Sequence, residues 1–162
     1  MSKHLVYLCI GGNLGDREAN LEETRMFIEF NMGDILEESP VYESEAWGME
    51  NSPAFLNQII KLETELSPED LLSEITELEE FYGRERVDGV YQPREMDVDI
   101  IFIDDLIIGT EQLNVPHPRM HLRKFVLMPL SDIAPDLIHP VLKKSVRELL
   151  SVCEDQSAIT RL

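Results

Sequence analysis

The run Asp97-Val98-Asp99-Ile100-Ile101-Phe102-Ile103 constrains the fold more than any other stretch of this chain. Acid and hydrophobe alternate at its start, which is the period of two expected of a β-strand. As a strand it places Asp97 and Asp99 on one face and Val98, Ile100 and Phe102 on the other, with Ile101 and Ile103 as its apolar continuation. It therefore reads as a core strand and not a solvated edge. Carboxylates at the head of such a strand are costly to bury without compensation. Same-face positions lie about 6.6–7 Å apart, so the two acids can converge on one hard divalent cation or clamp two.

The flanking sequence supplies partners for this strand. Residues 4–10 form an apolar run ended by Gly11-Gly12-Asn13-Leu14-Gly15, predicting a buried strand and a turn. A helix is expected over 16–31, with Leu21, Met26 or Arg25, and Ile28 along its inner side and Gly33 as its stop. A second strand over 35–42 is broken by Pro40. Residues 54–65 alternate as a third, with Phe55, Asn57, Ile59 and Lys61 on one face. Ser67-Pro68-Glu69-Asp70 combines a cap, a first-turn proline and acids at the positive end of the dipole, so a helix should run from there to about Tyr82. Short strands near 106–108 and 113–115 and helices over 123–133 and 145–152 complete the pattern. The order β-α-β-β-α-β is the ferredoxin-like split arrangement. The expected fold is α+β, one domain over 1–162, with an antiparallel sheet, extra short strands and C-terminal helices.

Charge narrows the function. The net of −18 argues against a general nucleic-acid or anionic-membrane surface. Yet residues 84–124 hold six of the fourteen Lys and Arg against eight carboxylates, a small basic island suited to a compact polyphosphate. No run of about 18 apolar residues occurs, and the start enters a strand pattern with no signal-peptide arrangement, so a cytoplasmic location is expected. Cys9, inside an apolar strand, reads as a buried thiol rather than half of a disulfide with Cys153.

Single motifs are less specific. Gly11-Gly12-Asn13-Leu14-Gly15 has neither phosphate-loop nor dinucleotide spacing and reads as a tight turn. Pro116-His117-Pro118-Arg119-Met120-His121-Leu122-Arg123 holds His117 and Arg123 beside a loop, but no third His or Cys completes a zinc site. Trp47, Phe55, Tyr91 and Phe125 can stack on a flat heterocycle or pack in a core. Asn57 is a polar side chain on an apolar strand, and a buried amide needs partners such as a heteroaromatic edge offers. Together with the Asp pair, these segments read as a nucleoside triphosphate site.

The motifs taken in order resemble the 6-hydroxymethyl-7,8-dihydropterin pyrophosphokinase family of folate biosynthesis. The likeness rests on the Gly-Gly-Asn-Leu-Gly turn, Phe55-Leu56-Asn57, Tyr82-Gly83-Arg84-x-Arg86, Pro93-Arg94-x-x-Asp97-Val98-Asp99-Ile100-Ile101, Val115-Pro116-His117-Pro118-Arg119-Met120, Arg123-x-Phe125, and Ile133-Ala134-Pro135. It implies ATP as co-substrate, a reduced pterin as acceptor, and two Mg²⁺ ions held by Asp97 and Asp99. Arg84 and Arg94 would steady the transferring phosphates, and Glu79, Arg86, Ile100, His117 and Arg123 would contact the nucleotide. Ser44, Ala46, Trp47, Phe55, Asn57 and Phe125 would form the pterin pocket, with 44–53 and 84–92 as closing loops and a monomer as the working unit. Val90, Tyr91, Gln92, Gly12 and Pro118 depart from the family's common pattern. Another Mg²⁺-dependent phosphotransferase or phosphoesterase, or a non-catalytic ferredoxin-like binding module, are the rival readings of the same residues.

Overall fold

The computed structural model describes residues 2–45, 53–83 and 95–162. In chain order its elements are β1 (His4–Gly12), α1 (Arg17–Asn31), β2 (Asp34–Glu38), β3 (Tyr42–Ser44), β4 (Phe55–Thr64), α2 (Pro68–Phe81), β5 (Asp97–Ile103), β6 (Ile108–Gly109), β7 (Asn114–Val115), a 3₁₀ turn (Met120–Leu122), α3 (Lys124–Ile133), α4 (Val146–Ser151) and β8 (Ile159–Arg161). β1 lies between β4 and β5 and is antiparallel to both. β2 and β3 both pair with β4, and β8 extends the sheet from β3. β6 and β7 make a separate two-stranded ribbon. The β5-β1-β4-β2 core is the expected ferredoxin-like order.

Each face of the sheet has its own helices because β1 is apolar on both sides. Val6, Leu8 and Ile10 pack with Leu56, Ile60 and Leu62 against Leu21 and Ile28 of α1 and Leu71, Ile75 and Leu78 of α2. Tyr7, Cys9, Ile59 and Ile101 face Val126, Leu127 and Leu130 of α3 and Val146 and Leu149 of α4. Truncating any of these buried aliphatics to Ala should cost about 2–5 kcal/mol. The helices start where the sequence says they should. The Asp16 carboxylate accepts from Ala19 N at 3.1 Å, and Ser67 Oγ accepts from Asp70 N at 3.1 Å.

Two details differ from expectation, in α1 and in β5, and one at Pro40 agrees with it. In α1 the inner stripe is Leu21, Thr24 and Ile28; Met26 is 65% exposed, and Arg25 sits at the border, donating to Gln58 Oε1 at 2.8 Å. Pro40 breaks the 35–42 segment as expected, leaving β2 and β3 on either side. Ser39 bridges the break: its Oγ accepts from Ile59 N, and its own N–H donates to Ile59 O, both at 2.9 Å. In β5 the register jumps, because Tyr7 lies opposite Phe102 but Leu8 lies opposite Ile100. Ile101 is the extra residue of a bulge, so the side-chain alternation reverses beyond it. Phe102 therefore joins the α3/α4 side, edge-on to Tyr7 at 6.3 Å, and Ile103 joins the α1/α2 side.

Candidate active site

α3 and α4 cover only part of their face of the sheet. Over the remainder lies a cavity of about 740 Å³, floored by Cys9, Gly11, Asn57, Asp97 and Asp99. Strand register builds this floor. Gly11 pairs with Asn57 on one side and Asp97 on the other, and Cys9 pairs with Asp99. Asn57 and Asp97 are thus separated by two interstrand steps, about 10 Å. The bulge at Ile101 lies beyond both acids, so Asp97 and Asp99 keep the shared face that their spacing predicts. Both are half-buried.

Ser44, Glu45 and Phe55 bound the cavity on the β3 side, and His117, Arg119, Leu122, Arg123 and Phe125 bound it opposite. His117 is fixed at two points. Its N–H donates to Ile101 O at 3.0 Å, tying it to the edge of β5, and its Nδ1 accepts from Arg119 N at 3.1 Å. That leaves Nε2 to carry the proton of the neutral ring. Burial, reinforced by the charges of Arg123 and Arg119 against the opposing pull of Asp97, lowers the His117 pKa from 6.5 to about 4. The ring is a neutral donor at pH 7. Arg123 lies with its guanidinium carbon 5.6 Å from the Phe125 ring centre, a cation–π approach that orders both side chains. Burial and the neighbouring Asp99 and Asp97 charges push the Cys9 thiol well above its usual range. It stays protonated and can donate to Asn57 Oδ1, at 4.0 Å.

Eight of the residues singled out from sequence thus share one cavity: Ser44, Phe55, Asn57, Asp97, Asp99, His117, Arg123 and Phe125. Two sit elsewhere. Glu79 is buried, its Oε2 accepting from Val98 N at 3.0 Å, so it supports the head of β5 from the α2 side. Ile100 points into the α1/α2 core, leaving its backbone as the part able to meet a ligand from the cavity side. Ala46, Trp47, Arg84, Arg86 and Arg94, with most of both proposed closing loops, lie outside the described residues. Sequence reasoning missed Cys9, Gly11, Glu45, Arg119, Leu122 and the segment 154–157 as cavity residues. A glycine inside a strand marks close backbone approach, and Gly11 carried that signal once β1 is seen to run through it. Segment 154–157 offered none.

The donor set suits a hard cation. Among the described residues no cluster of three or more His, Cys, Asp or Glu is arranged around a common point. Asp97 and Asp99, two half-buried carboxylates on one strand face, are the residues here that could hold a hard divalent cation. Acids that suit a cation, an arginine and a neutral imidazole that suit phosphate, and an amide and an aromatic ring that suit a flat heterocycle fit one class: small α+β enzymes that transfer phosphoryl groups to a ring-bearing acceptor.

Comparison with known proteins narrows the class. Residues 7–135 match the family model described as 7,8-dihydro-6-hydroxymethylpterin-pyrophosphokinase. The 2-amino-4-hydroxy-6-hydroxymethyldihydropteridine pyrophosphokinase of Aquifex aeolicus is 42% identical over 148 residues, 88% of each chain. That of Porphyromonas gingivalis is 40% identical over 139 residues, 84% of this chain and 94% of the relative. The fold also superposes on Plasmodium falciparum HPPK-DHPS with a TM-score of 0.76 at 16% identity, covering 93% of this chain and 42% of that one. This chain belongs to the 7,8-dihydro-6-hydroxymethylpterin-pyrophosphokinase family.

Proposed function

We propose that the chain transfers diphosphate from ATP to the hydroxymethyl group of 6-hydroxymethyl-7,8-dihydropterin, releasing AMP. The observation that carries this reading is the cavity in which Gly11 alone separates Asp97 from Asn57 across the sheet, with Asp99, His117, Arg123 and Phe125 lining the same space. An amide and an aromatic ring suit a pterin, and acids with cationic and neutral donors suit magnesium triphosphate.

The chemistry needs positioning and charge neutralisation more than a strong protein base. The pterin hydroxyl oxygen attacks the β-phosphorus in line, the bridging α–β oxygen leaves with AMP, and the hydroxyl proton is released. Asn57 reads the pterin edge with its amide, Phe125 stacks on the ring, and Phe55 and Ser44 bound the same pocket, joined by Ala46 and Trp47. Asp97 and Asp99 hold Mg²⁺, expected as two ions, which supplies charge neutralisation on the phosphate oxygens when bound. His117 donates from Nε2 to a phosphate oxygen without adding a charge that titrates near neutrality. Arg123 supplies a fixed positive charge. Arg84 and Arg94 are assigned to the transferring phosphates, and Arg86, Glu79 and Ile100 to the nucleotide.

The working unit is read as one monomeric domain over 1–162, cytoplasmic, with ATP and the reduced pterin as partners. The net charge of −18 makes nucleic acid a poor one. Among the described residues no helix is long and apolar enough to cross a membrane. Incubation with ATP, Mg²⁺ and the pterin alcohol, with nucleotides separated by chromatography, tests the reaction. AMP in step with pterin diphosphate supports it, whereas ADP or no nucleotide product refutes it.

A further inference from the structure

One wall of the cavity comes from a segment outside residues 7–135, which the family match spans. Glu154, Asp155, Gln156 and Ser157 line the cavity beside Arg123 and Phe125. The segment is fastened at both ends. Downstream, β8 pairs with β3, Ile159 opposite Ser44 and Arg161 opposite Tyr42, and Leu162 N donates to Val41 O at 2.9 Å. Upstream, Asp155 Oδ2 accepts from Lys124 N at 3.0 Å. The Asp155 carboxylate is itself held at Oδ1 by Ser157 N at 2.9 Å and Ser157 Oγ at 2.5 Å.

Lys124 is the first residue of α3, and its own N-cap, Arg123, makes no side-chain cap bond. The first N–H groups of a helix have no partner within it and are satisfied from outside. Here the cap arrives from a residue 31 positions away. Burial alone would raise the Asp155 carboxyl. The bonds from Ser157 and Lys124 outweigh that and bring it below its usual range. The residues on either side of Lys124 are Arg123 and Phe125, assigned above to nucleotide and pterin. The turn between them is held by an acid from the C-terminal segment.

We propose that segment 154–157 is a working wall of the substrate cavity and that Asp155, by capping α3 at Lys124, is the positioning residue that aims Arg123 and Phe125 at the substrates. The proposal rests on the reaction assigned above. Losing the cap frees the first turn of α3, so the two side chains must be re-ordered each time substrate binds. Binding suffers, whereas the chemical step, once substrate is seated, changes little.

The test is steady-state AMP release by the full chain, with KM for each substrate, kcat and the unfolding midpoint measured for wild type, Asp155→Ala and Asp155→Asn. Asp155→Ala should raise KM for the pterin alcohol about fivefold, the scale of a lost helix cap, with kcat within about twofold. Asp155→Asn keeps one acceptor oxygen for Lys124 N but loses the one that Ser157 N donates to, and should recover part of that loss. Unchanged KM in Asp155→Ala beside an active wild type overturns the proposal alone. So does a lowered unfolding midpoint with no split between KM and kcat, or an Asp155→Asn enzyme as impaired as Asp155→Ala. A wild type that releases no AMP overturns the assigned reaction, and this proposal with it.

Discussion

Asn57 stands over the cavity floor because Gly11, directly across the β1–β4 pair, has no side chain. A Cβ at Gly11 would collide with the Asn57 amide and with Leu56 O. Gly11→Ala should therefore push Asn57 from its place, raising KM for the pterin by about tenfold or more. Overpacking of a well-filled site costs roughly 1–3 kcal/mol of stability. Kinetics and urea unfolding on one preparation check both effects, and an unaltered pterin KM would remove Asn57 from the pterin edge.

His117 gives the metal-free protein a pH dependence of definite sign. Its pKa falls from 6.5 to about 4 on folding, so between those values the unfolded chain binds the proton that the folded chain refuses. Stability is therefore complete above pH 6.5 and is lost as pH falls through this window. At about 1.4 kcal/mol per unit, the shift sets a ceiling of about 3 kcal/mol, reduced by the ring's partial exposure. Unfolding at pH 7 and pH 5 should show a smaller loss in His117→Gln than in wild type. An imidazole NMR titration centred near 6.5 would contradict the assignment.

Tyr42 ties β3 to α3 by donating its hydroxyl to Asp132 in a short hydrogen bond. The side chain is buried at 3% exposure, and burial, with the Asp132 bond and charge, raises its pKa to about 12. Tyr42→Phe leaves a carboxylate without that donor and should cost about 1.5–3 kcal/mol, read as a lower unfolding midpoint. Wild type should also lose stability as pH rises from about 10 toward 12, because the unfolded phenol ionises first. Tyr42→Phe should lack that part of the decline.

Most of the sheet was legible because apolar alternation and helix caps are local signals. Asp16, Ser67 and Ser145 each sit at a helix start with the cap bond formed. The Asp97/Asp99 face was legible for the same reason, since a period of two needs no knowledge of neighbours. Phe102 and Ile103 were misplaced because a bulge is fixed by pairing with β1, which the strand's own residues do not reveal. The apolar pattern offers Met26 or Arg25 for the inner stripe, but α1 buries the polar Thr24 there instead. β8 and the Asp155 cap were invisible. Ile159–Arg161 is too short to show a period, and a cap supplied from 31 residues away leaves no mark beside the helix it completes.

The central claim is that Asp97 holds the cation on which diphosphate transfer depends, and nucleotide product analysis with Asp97→Ala tests it most directly. Wild type with ATP, Mg²⁺ and the hydroxymethyl dihydropterin should form AMP, should stop when the metal is chelated, and should lose essentially all turnover in Asp97→Ala while the variant keeps its fold. AMP formation by Asp97→Ala at the wild-type rate, or ADP as the product of the wild type, would contradict it.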